Sequence, residues 1–378
     1  MTEERLKIGL DAKRIVRNAT GLGSYGRTLA VDLAQRADLD LHLYAPDAGR
    51  SDLRSQVVEC ENLHYHFSPC HTALGKALWR SRGIVSQLRS DGIQLYHGLS
   101  GELPRGIHQS GIRSVVTIHD LIFMRHPEYY HKVDVMIYTR KFRQALREAD
   151  SIVAISECTR RDICQLGGVD PSRVAVVYQS CAPRFSAQPS PMLLEQVRKK
   201  YNLPRCYILN VGSIEERKNV LLAVRALHRL PDDVALVVVG RNTNYANRVR
   251  QYVEQHGLAH RVLLLQGVTD SELTAFYHTA EAFVYPSRYE GFGIPIIEAV
   301  SAGLPVVACT GSCLEEAGGP DNLYVDPDAD ADFAAAVSQV LIGAPGRQQR
   351  IDRSQQYITR FRNADAADRF ATIYHNLL

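Results

Sequence analysis

The chain alternates short apolar runs with stretches of helical character, and this alternation constrains its fold more than any other feature. In the first half the runs are Leu6–Asp11, Leu39–Ala45, Ile93–His97, Ser114–His119, Ile152–Ile155 and Val174–Tyr178. In the second half they are Tyr207–Val211, Val234–Val239, Val262–Leu265, Ala282–Tyr285, Pro305–Ala308 and Leu323–Val325. Many are continuously apolar, which is typical of parallel strands covered on both faces. Because strands that alternate with helices indicate βαβ units, we predict an α/β chain with parallel sheets.

Length and one proline-rich segment predict two domains. A single core stops growing at about 250–300 residues, whereas this chain has 378. The two series of runs are separated by Ala182–Met192, whose prolines are typical of a linker. We therefore predict two doubly wound, Rossmann-like domains, 1–184 and 185–355. Ligands of such sheets bind outside the carboxyl ends of the strands, so we expect the site in a cleft between the domains.

Composition excludes several classes of protein. Apolar residues make up 45% of the chain and charged residues 22%, as in ordinary soluble proteins. No apolar run reaches the roughly 18 residues that span a bilayer, and the acidic start resembles no secretory signal, so we expect a cytoplasmic protein. Hydrolase motifs of the Gly-x-Ser-x-Gly and His-Glu-x-x-His type are absent.

Cysteine spacing argues against a zinc or redox motif. None of the eight cysteines forms a Cys-x-x-Cys pair, which zinc ribbons and thioredoxin-like sites require. We expect four of them to be small core residues in a reducing compartment, namely Cys158, Cys181, Cys206 and Cys309.

Charge is distributed unevenly along the chain. Residues 1–184 hold 25 Lys and Arg against 20 Asp and Glu, whereas residues 185–378 hold 19 against 21. A mildly basic first half suits an anionic ligand or an anionic membrane surface. Nucleic-acid-binding proteins usually carry a concentrated basic stripe instead, so we expect no nucleic acid partner.

The segment Tyr285–Val300, YPSRYEGFGIPIIEAV, predicts an anion-binding turn between a strand and a helix. Pro295 is suited to open the helix, because its missing N–H would be unpaired in the first turn anyway. Gly291 and Gly293 allow the backbone to approach a ligand closely, and amides ahead of a helix can hold an anion.

Two glutamates accompany this turn, Glu290 in the loop and Glu298 on the expected first helical turn. Carboxylates accept hydrogen bonds from hydroxyl groups, so one loop offers donors for a phosphate and acceptors for a sugar. The plainer interpretation is a tight strand–turn–helix connection in which the helix dipole favours a glutamate in the first turn.

A second segment, Asn210–Asn219, follows the first strand of the second domain with the sequence NVGSIEERKN. We expect Arg217 and Lys218 at a helix start, where the dipole disfavours cations. Two cations placed there suggest a compensating anion such as a diphosphate. The alternative is a solvated turn with Glu215 and Glu216 as the partners of the two cations.

Two segments of the first half carry further candidates. His119 and Asp120 close the run SVVTIHD; a neutral imidazole there could bind a substrate hydroxyl or carry a proton, or could be a satisfied structural group. The sequence GLGSYG at Gly21–Gly26 follows its strand too late for a dinucleotide fingerprint, so we do not expect NAD. It could cradle a phosphate as a glycine loop, or be a plain helix start.

In the second half, Asp326 and Asp328 are interpreted as a turn, not as metal ligands.

Together these segments resemble the family-4 glycosyltransferases of the GT-B fold. Glu290–Glu298, EGFGIPIIE, matches that family's E-x7-E motif, and NVGSIEERKN resembles its diphosphate-binding turn. The family's mid-domain histidine and first glycine loop resemble IHD and GLGSYG, and Ala154–Asp162 resembles the segment that follows the histidine. HDLIFMRHPEYY is most similar to bacterial surface-polysaccharide mannosyltransferases.

The resemblance implies a retaining hexosyltransferase that uses a nucleotide-diphospho-sugar, with GDP-mannose the expected donor, and needs no bound cofactor or metal. The implied catalytic residues are His119, Arg217, Lys218 and Glu290. The implied donor-binding residues are Gly212, Ser213, Arg217, Lys218, Gly267, Val268, Glu290, Gly291, Phe292, Gly293, Ile294 and Glu298. The implied acceptor or phosphate loop comprises Gly21, Leu22, Gly23 and Asp120. The resemblance also implies that residues 1–184 form the acceptor-side domain and residues 185–355 the nucleotide-sugar-binding domain. It further implies that a final helix, about 356–378, crosses back onto the first domain.

Individual roles follow from the same resemblance. Arg217 and Lys218 would neutralise the diphosphate and the charge that develops on it as it leaves. Glu290 and the amides that follow it would hold the donor sugar and phosphate, Glu298 the ribose, and His119 the sugar near its anomeric centre. Many members carry an arginine where Ser213 stands here, so diphosphate binding would depend more on the two cations. No residue is evident as a covalent nucleophile, so we favour a same-face displacement assisted by the leaving phosphate.

The acceptor is predicted as a glycan or a lipid-linked molecule. Phe123–Arg147 interleaves aromatic and cationic residues, and Leu74–Arg82 carries the only tryptophan beside cations. These stretches could lie peripherally on the inner face of an anionic membrane, or could be amphipathic helices packed on their own domain. Rival functions are a nucleotide-sugar 2-epimerase or phosphorylase of the same fold and a catalytically idle sugar-nucleotide-binding subunit.

Overall fold

The computed structural model describes residues 5–361 and 363–378, and the chain divides into two compact units. One unit comprises the chain up to Gln179 together with Asn363–Leu378, and the other comprises Ser180–Arg362. The boundaries expected from the sequence lie after residue 184 and at about 356.

The first unit is built on a seven-stranded parallel sheet with the order β3-β2-β1-β4-β5-β6-β7. Its strands are β1 (Leu6–Asp11), β2 (Leu39–Ala45), β3 (Leu63–Phe67), β4 (Leu95–Gly98), β5 (Arg113–Ile118), β6 (Ser151–Ala154) and β7 (Val174–Val176). The strand order reverses between β1 and β4. Ligands of doubly wound sheets bind at the carboxyl edge of such a switch point.

Helices cover both faces of this sheet. They are α1 (Lys13–Arg17), α2 (Gly21–Ala34), α3 (Ser51–Arg54), α4 (Ala73–Leu78), α5 (Ile84–Ser90), α6 (Ile122–Arg125), α7 (Lys132–Glu148) and α8 (Glu157–Gly167), with a π-helical turn at Trp79–Gly83. Leu95 and Tyr96 are consecutive residues of β4 but belong to different hydrophobic cores. Successive side chains of a strand point to opposite faces, so the sheet separates two cores.

The second unit repeats this design with a six-stranded parallel sheet of order β10-β9-β8-β11-β12-β13. Its strands are β8 (Cys206–Val211), β9 (Val234–Val239), β10 (Val262–Leu265), β11 (Ala282–Tyr285), β12 (Val306–Cys309) and β13 (Leu323–Val325). Here the order reverses between β8 and β11, so the carboxyl ends at Val211 and Tyr285 flank the switch point.

The helices of the second unit alternate with these strands. They are α9 (Pro191–Lys200), α10 (Val220–Ala226), α11 (Tyr245–Gln255), α12 (Asp270–Thr279), α13 (Ile294–Ser301), α14 (Leu314–Gly318), α15 (Asp330–Ser338) and α16 (Arg347–Ile358). The last helix, α17 (Asn363–Leu377), is part of the first unit. Its Phe370 and Tyr374 are fully buried in one core with Leu29 and Leu33 of α2.

The predicted α/β architecture with two parallel sheets is confirmed, but one strand was not predicted. Strand β3 carries His64 and His66 and lies at the edge of its sheet. Its sequence, LHYHF, places histidines between the apolar residues, so it lacks the continuous apolar run by which most of the other strands are recognised. Within the described part of the chain, none of the helices combines the length and the apolarity that a membrane crossing requires. Cys158 and Cys309 are buried as expected, whereas Cys181 and Cys206 are only half-buried.

Candidate active site

Two loops of the second unit meet at its switch point. The first leaves β8 through Gly212 and Ser213 and forms a 3-10 turn at Glu216–Lys218. Asn219, with φ of 52°, separates this turn from α10. Arg217 and Lys218 therefore precede the helix and do not begin it, which corrects the expected placement. A residue in the left-handed region breaks the helical path, so the cations can point away from the helix axis.

The second loop follows β11 and brings a carboxylate onto both cations. The Lys218 Nζ lies 2.5 Å from Oε1 of Glu290, and an Arg217 guanidinium nitrogen lies 2.9 Å from Oε2. The side chains of Lys218 and Arg217 are each 14% exposed, and that of Glu290 is 11% exposed. Arg217 also pairs with Glu215 at 3.1 Å, as the alternative interpretation of this turn expected. The cations are therefore paired within the protein before any ligand is considered.

Burial and charge oppose each other in this cluster. Burial disfavours ionisation of Glu290, but the charges of Lys218 and Arg217 outweigh it and lower its pKa to about 2. Burial likewise disfavours the charge on Lys218, and the carboxylate of Glu290 more than restores it, so the pKa of Lys218 is raised. All three groups are therefore charged at neutral pH.

The two cations retain hydrogen-bonding capacity for a ligand. The Lys218 Nζ also donates to the Tyr285 hydroxyl at 2.7 Å, which leaves one of the three ammonium N–H groups. Arg217 uses three of its five N–H groups, on the Tyr289 carbonyl, Glu290 and Glu215. The cluster can therefore bind an anionic oxygen without first breaking its internal pairs.

The glycine loop that follows Glu290 is held by buried contacts. The single S–H of Cys313 is shared between the carbonyls of Glu290, at 3.1 Å, and Phe292, at 2.7 Å. Phe292 is 3% exposed and packs edge-to-face on Phe361, so it can meet a donor only through its backbone. Gly293 has φ of 120°, which only glycine adopts without strain. The sequence offers no signal that marks Cys313 as a support of this loop.

Helix α13 begins directly after this loop. Gly293 is its N-cap and provides no side-chain cap, and Pro295 lies in the first turn, as predicted. A helix start carries partial positive charge and favours an anion. Ile294 thus stands at a helix N-terminus that follows Glu290 by four positions.

Glu298 lies on the second turn of α13, not on the first turn that was expected. Its Oε2 accepts a hydrogen bond of 2.8 Å from the Tyr277 hydroxyl on α12. Burial raises the pKa of Glu298 to about 7, although this hydrogen bond opposes the shift. Glu298 is therefore a carboxyl group that exchanges its proton near neutral pH.

Gly267 and Val268 follow β10, the edge strand that lies two positions from β8 in the sheet. Gly267 is exposed and Val268 is half-buried. Their implied role in donor binding stays a prediction.

His119 belongs to the first unit, where it follows β5. Its Nε2 donates to the Leu99 carbonyl at 2.8 Å, and its Nδ1 accepts from the Gln179 amide at 3.0 Å. Burial lowers the pKa of His119 to about 4. The ring is therefore neutral with both nitrogens engaged, which favours the structural alternative for the free protein; its contact with a donor sugar stays a prediction. Asp120 accepts from the backbone N–H of Ile122 at 3.1 Å.

The glycines of GLGSYG lie within the first turns of α2 and do not form a loop ahead of it. Gly21 is exposed and has open space around the position of a Cβ, whereas a Cβ on Gly23 would lie 1.8 Å from the Asn18 carbonyl oxygen. Leu22 is half-buried between them. Close packing against Asn18 therefore requires glycine at position 23, whereas position 21 has room for a side chain.

We expect Gly23→Ala to lower the free energy of unfolding by about 2–3 kcal/mol, because the added methyl group must displace backbone. Gly21→Ala is the matched control and should stay within about 1 kcal/mol of the parent, since alanine is the better helix former. Urea unfolding of the three proteins checks both values. Equal stability of the two variants would contradict the packing argument.

Among residues 5–361 and 363–378, no three His, Cys, Asp or Glu side chains are grouped so that they could hold a metal ion.

The family model described as Glycosyltransferase Family 4 matches residues 19–180, and the model described as Glycosyl transferases group 1 matches residues 195–357. O-antigen chain mannosyltransferase B of Escherichia coli is 33% identical over 359 residues, which cover 89% of this chain and 91% of that protein. O-antigen chain mannosyltransferase RfbU of Salmonella typhimurium is 26% identical over 246 residues and covers 65% of each chain.

Among solved structures, Anabaena Alr3699/HepE in complex with UDP-glucose has a TM-score of 0.77 to this chain at 16% identity, with 99% of this chain and 100% of that chain covered. At this identity the likeness concerns the fold.

Proposed function

The chain belongs to the family-4 glycosyltransferases of the GT-B fold, and from that premise we propose that it transfers a hexose, mannose by preference, from a nucleotide-diphospho-sugar to an acceptor. The two relatives named above are O-antigen chain mannosyltransferases, which supports a role in surface-polysaccharide synthesis and a glycan or lipid-linked acceptor. The observation that carries the proposal is the buried cluster of Lys218, Arg217 and Glu290 at a switch point, directly before a helix N-terminus.

In this reaction the cluster acts on the donor diphosphate. The remaining N–H groups of Lys218 and Arg217 bind its oxygens, and the start of α13 adds partial positive charge. The bond between the anomeric carbon and the diphosphate oxygen breaks, and its electron pair stays on the diphosphate. Fixed cations stabilise that developing charge. Such electrostatic stabilisation usually lowers the activation free energy more than any other single contribution. Glu290 holds the cations in place and accepts from sugar hydroxyls.

We propose retention of configuration through a same-face displacement. The acceptor oxygen forms its bond to the anomeric carbon on the face that the diphosphate leaves, and the acceptor proton passes to a diphosphate oxygen. We further propose that no bound metal is required, because the remaining N–H groups of Lys218 and Arg217 and the start of α13 bind the diphosphate oxygens. Detection of a glycosyl–enzyme adduct by mass spectrometry would contradict the displacement, and loss of turnover in EDTA would contradict the metal-free reaction.

A panel of nucleotide-sugars tests the function. Ligand binding raises the apparent melting temperature by mass action, so the preferred donor should give the largest shift; GDP-mannose is the expected one. Incubation of that donor with acceptor glycans, followed by NMR, then reports the product and its anomeric configuration. An epimerised donor without transfer would instead support a 2-epimerase, and binding without turnover across acceptors would support an idle binding subunit.

We expect donor binding to strengthen between pH 6 and pH 8, because only ionised Glu298 is a full acceptor for ribose hydroxyls. With its pKa at about 7, affinity should rise about tenfold across that interval, in proportion to the competent fraction. A sugar-linked diphosphate has no group of its own that titrates there, so calorimetry with the intact donor is the suitable measurement.

Glu298→Gln is the matched variant. It should weaken donor binding by about 1.5–3 kcal/mol at pH 8 and abolish the pH dependence. An unchanged pH profile in Glu298→Gln would assign the titration to another group.

We also propose peripheral contact with an anionic membrane through the first unit. Trp79 and Phe142 of the segments predicted to face a membrane are buried, at 6% and 3% exposure. Support comes instead from Met136 and Val133 of α7, which are 65% and 61% exposed beside exposed cations of the same helix. Met136→Asp should reduce flotation with anionic liposomes, and neutral liposomes are the control. Liposome binding that changes neither with salt concentration nor with the Met136→Asp substitution would refute this contact.

A further inference from the structure

The hydrogen bonds of the His119 ring define which of its nitrogens carries the proton. Its Nε2 lies 2.8 Å from the Leu99 carbonyl oxygen, and its Nδ1 lies 3.0 Å from the side-chain amide nitrogen of Gln179. A carbonyl oxygen only accepts, so the proton of the neutral ring is on Nε2. Nδ1 therefore presents a lone pair, and the Gln179 amide donates to it.

Other contacts hold His119 without using a ring nitrogen. The ring of Tyr25 meets the imidazole edge-on, with 4.7 Å between the ring centroids and 85° between the planes. The Thr159 hydroxyl donates to the backbone carbonyl of His119 at 3.1 Å. Together with the Leu99 hydrogen bond, these contacts fix the orientation of the ring independently of Gln179.

The neutral state of the ring keeps Nδ1 available as an acceptor. Burial lowers the pKa of His119 to about 4 and the charge of Arg14 adds to the shift, whereas the hydrogen bond to Leu99 opposes it. An imidazole acceptor of this kind suits a donating hydroxyl group. The Gln179 amide supplies the same kind of donor, whereas a carboxylate in its place would favour the protonated ring.

The two hydrogen-bond partners of the ring differ in how readily a ligand can replace them. Leu99 is 3% exposed, and a buried backbone carbonyl that loses its donor raises the free energy of the protein. Gln179 binds through a rotatable side chain, and it lies three residues after β7 ends at Val176. His119 and Gln179 are both half-buried, so their contact is not sealed in a core. The contact at Nδ1 is therefore the exchangeable one.

We propose that the Gln179 amide occupies, in the free protein, the position of a hydroxyl group of the donor hexose on His119 Nδ1. The inference rests on the proposed function, because it names the group that the sugar must displace. When the hexose binds, one of its hydroxyls donates to Nδ1 and the Gln179 amide rotates away. A nucleoside diphosphate without a sugar leaves the pair of Gln179 and His119 intact. Gln179 thus lowers the affinity for the sugar-bearing donor and favours a sugar with a donating hydroxyl at that position.

Calorimetry tests this assignment with the preferred nucleotide-sugar of the thermal-shift panel, expected to be GDP-mannose, and with the corresponding nucleoside diphosphate. Gln179→Leu keeps the approximate size of the side chain and removes the amide that competes for Nδ1. We expect this variant to bind the nucleotide-sugar about two- to tenfold more tightly than the parent, the equivalent of one neutral hydrogen bond. Its affinity for the nucleoside diphosphate should equal that of the parent protein.

Two backgrounds control this measurement. In His119→Ala the acceptor is gone, so adding Gln179→Leu should change neither affinity, as a double-mutant cycle requires when the two residues act only through each other. Gln109 is an exposed glutamine of the same unit, and Gln109→Leu should change neither affinity. Loss of a merely structural contact does not tighten binding, so the expected gain separates displacement from a role in stability alone.

The pairing itself can be measured without any donor. Gln179→Glu places an acceptor at Nδ1 and should raise the pKa of His119 from about 4 towards the ordinary value of about 6.5. NMR titration of the ring, whose signals are assigned by their loss in His119→Ala, gives that pKa. An unchanged pKa in Gln179→Glu would mean that the two side chains are not paired in solution and would overturn the inference.

The binding data separate failure of this inference from failure of the proposed function. Parental or weaker nucleotide-sugar binding by Gln179→Leu would overturn the inference alone, and so would a gain that persists in the His119→Ala background. A parent protein that binds no nucleotide-sugar of the panel would refute the proposed function and the inference with it.

Discussion

Replacing Lys218 with alanine should lower kcat about 10²–10³-fold, the loss typical when a donor aimed at developing negative charge is removed. The Lys218 ammonium is 14% exposed and has one N–H left beyond its contacts with Glu290 and Tyr285. In a site that excludes water this N–H would meet the charge that appears on the departing diphosphate. Initial rates at saturating donor, compared with the parent protein, measure the effect.

Lys199→Ala is the matched control, because Lys199 is 76% exposed and pairs only at the surface with Glu195. Surface pairs of this kind contribute little, so we expect parental rates and parental stability. Circular dichroism and urea unfolding show whether Lys218→Ala remains folded. A folded Lys218→Ala protein with near-parental turnover would exclude the assigned role.

Glu290→Gln should lower the free energy of unfolding by about 3–5 kcal/mol and abolish turnover. The substitution keeps the shape of the side chain but leaves two buried cations without their shared carboxylate, and breaking a buried ion pair has this cost. Urea unfolding at neutral pH measures the stability, and transfer rates measure the activity.

The pH dependence of stability provides an independent check of Glu290. Its pKa falls from the usual 4.5 to about 2 on folding, so its contribution is present above about pH 4.5 and is lost as the pH falls towards 2. The stability difference between the parent and Glu290→Gln should therefore shrink over that interval. Glu195→Gln is the exposed counterpart and should show a small difference throughout. A constant difference across the interval would mean that Glu290 is not ionised in the folded protein.

Most strands can be predicted from the sequence, because a strand that is buried on both faces consists of a continuous run of apolar residues. Val234–Val239 has the predicted bounds and is fully covered by neighbours. Strand β3 is the exception, because His64 and His66 interrupt its apolar residues. The local pattern thus predicts strands that are apolar throughout, including the half-buried edge strand β10, and misses the strand in which histidines alternate with apolar residues.

The cations illustrate a second limit. The sequence suggests an external anion as the partner of Arg217 and Lys218. In the structure, Glu290 already pairs with both. Their partner lies about 70 positions along the chain, and no local pattern records such a pairing. Similarly, the Gln179 amide that engages His119 is 60 positions away, and it changes the chemistry available to that ring.

The class of fold, the family and the segments that carry the chemistry follow from the order of residues, because periodicity and short spacings are local properties of a chain. The pairing of charges depends on how the chain folds. Strands β8 and β11 are neighbours at a reversal of strand order, and that topology brings Lys218 to 2.5 Å from Glu290. Coulomb energies depend on distances in space and on burial, and neither is encoded in the separation of residues along the chain.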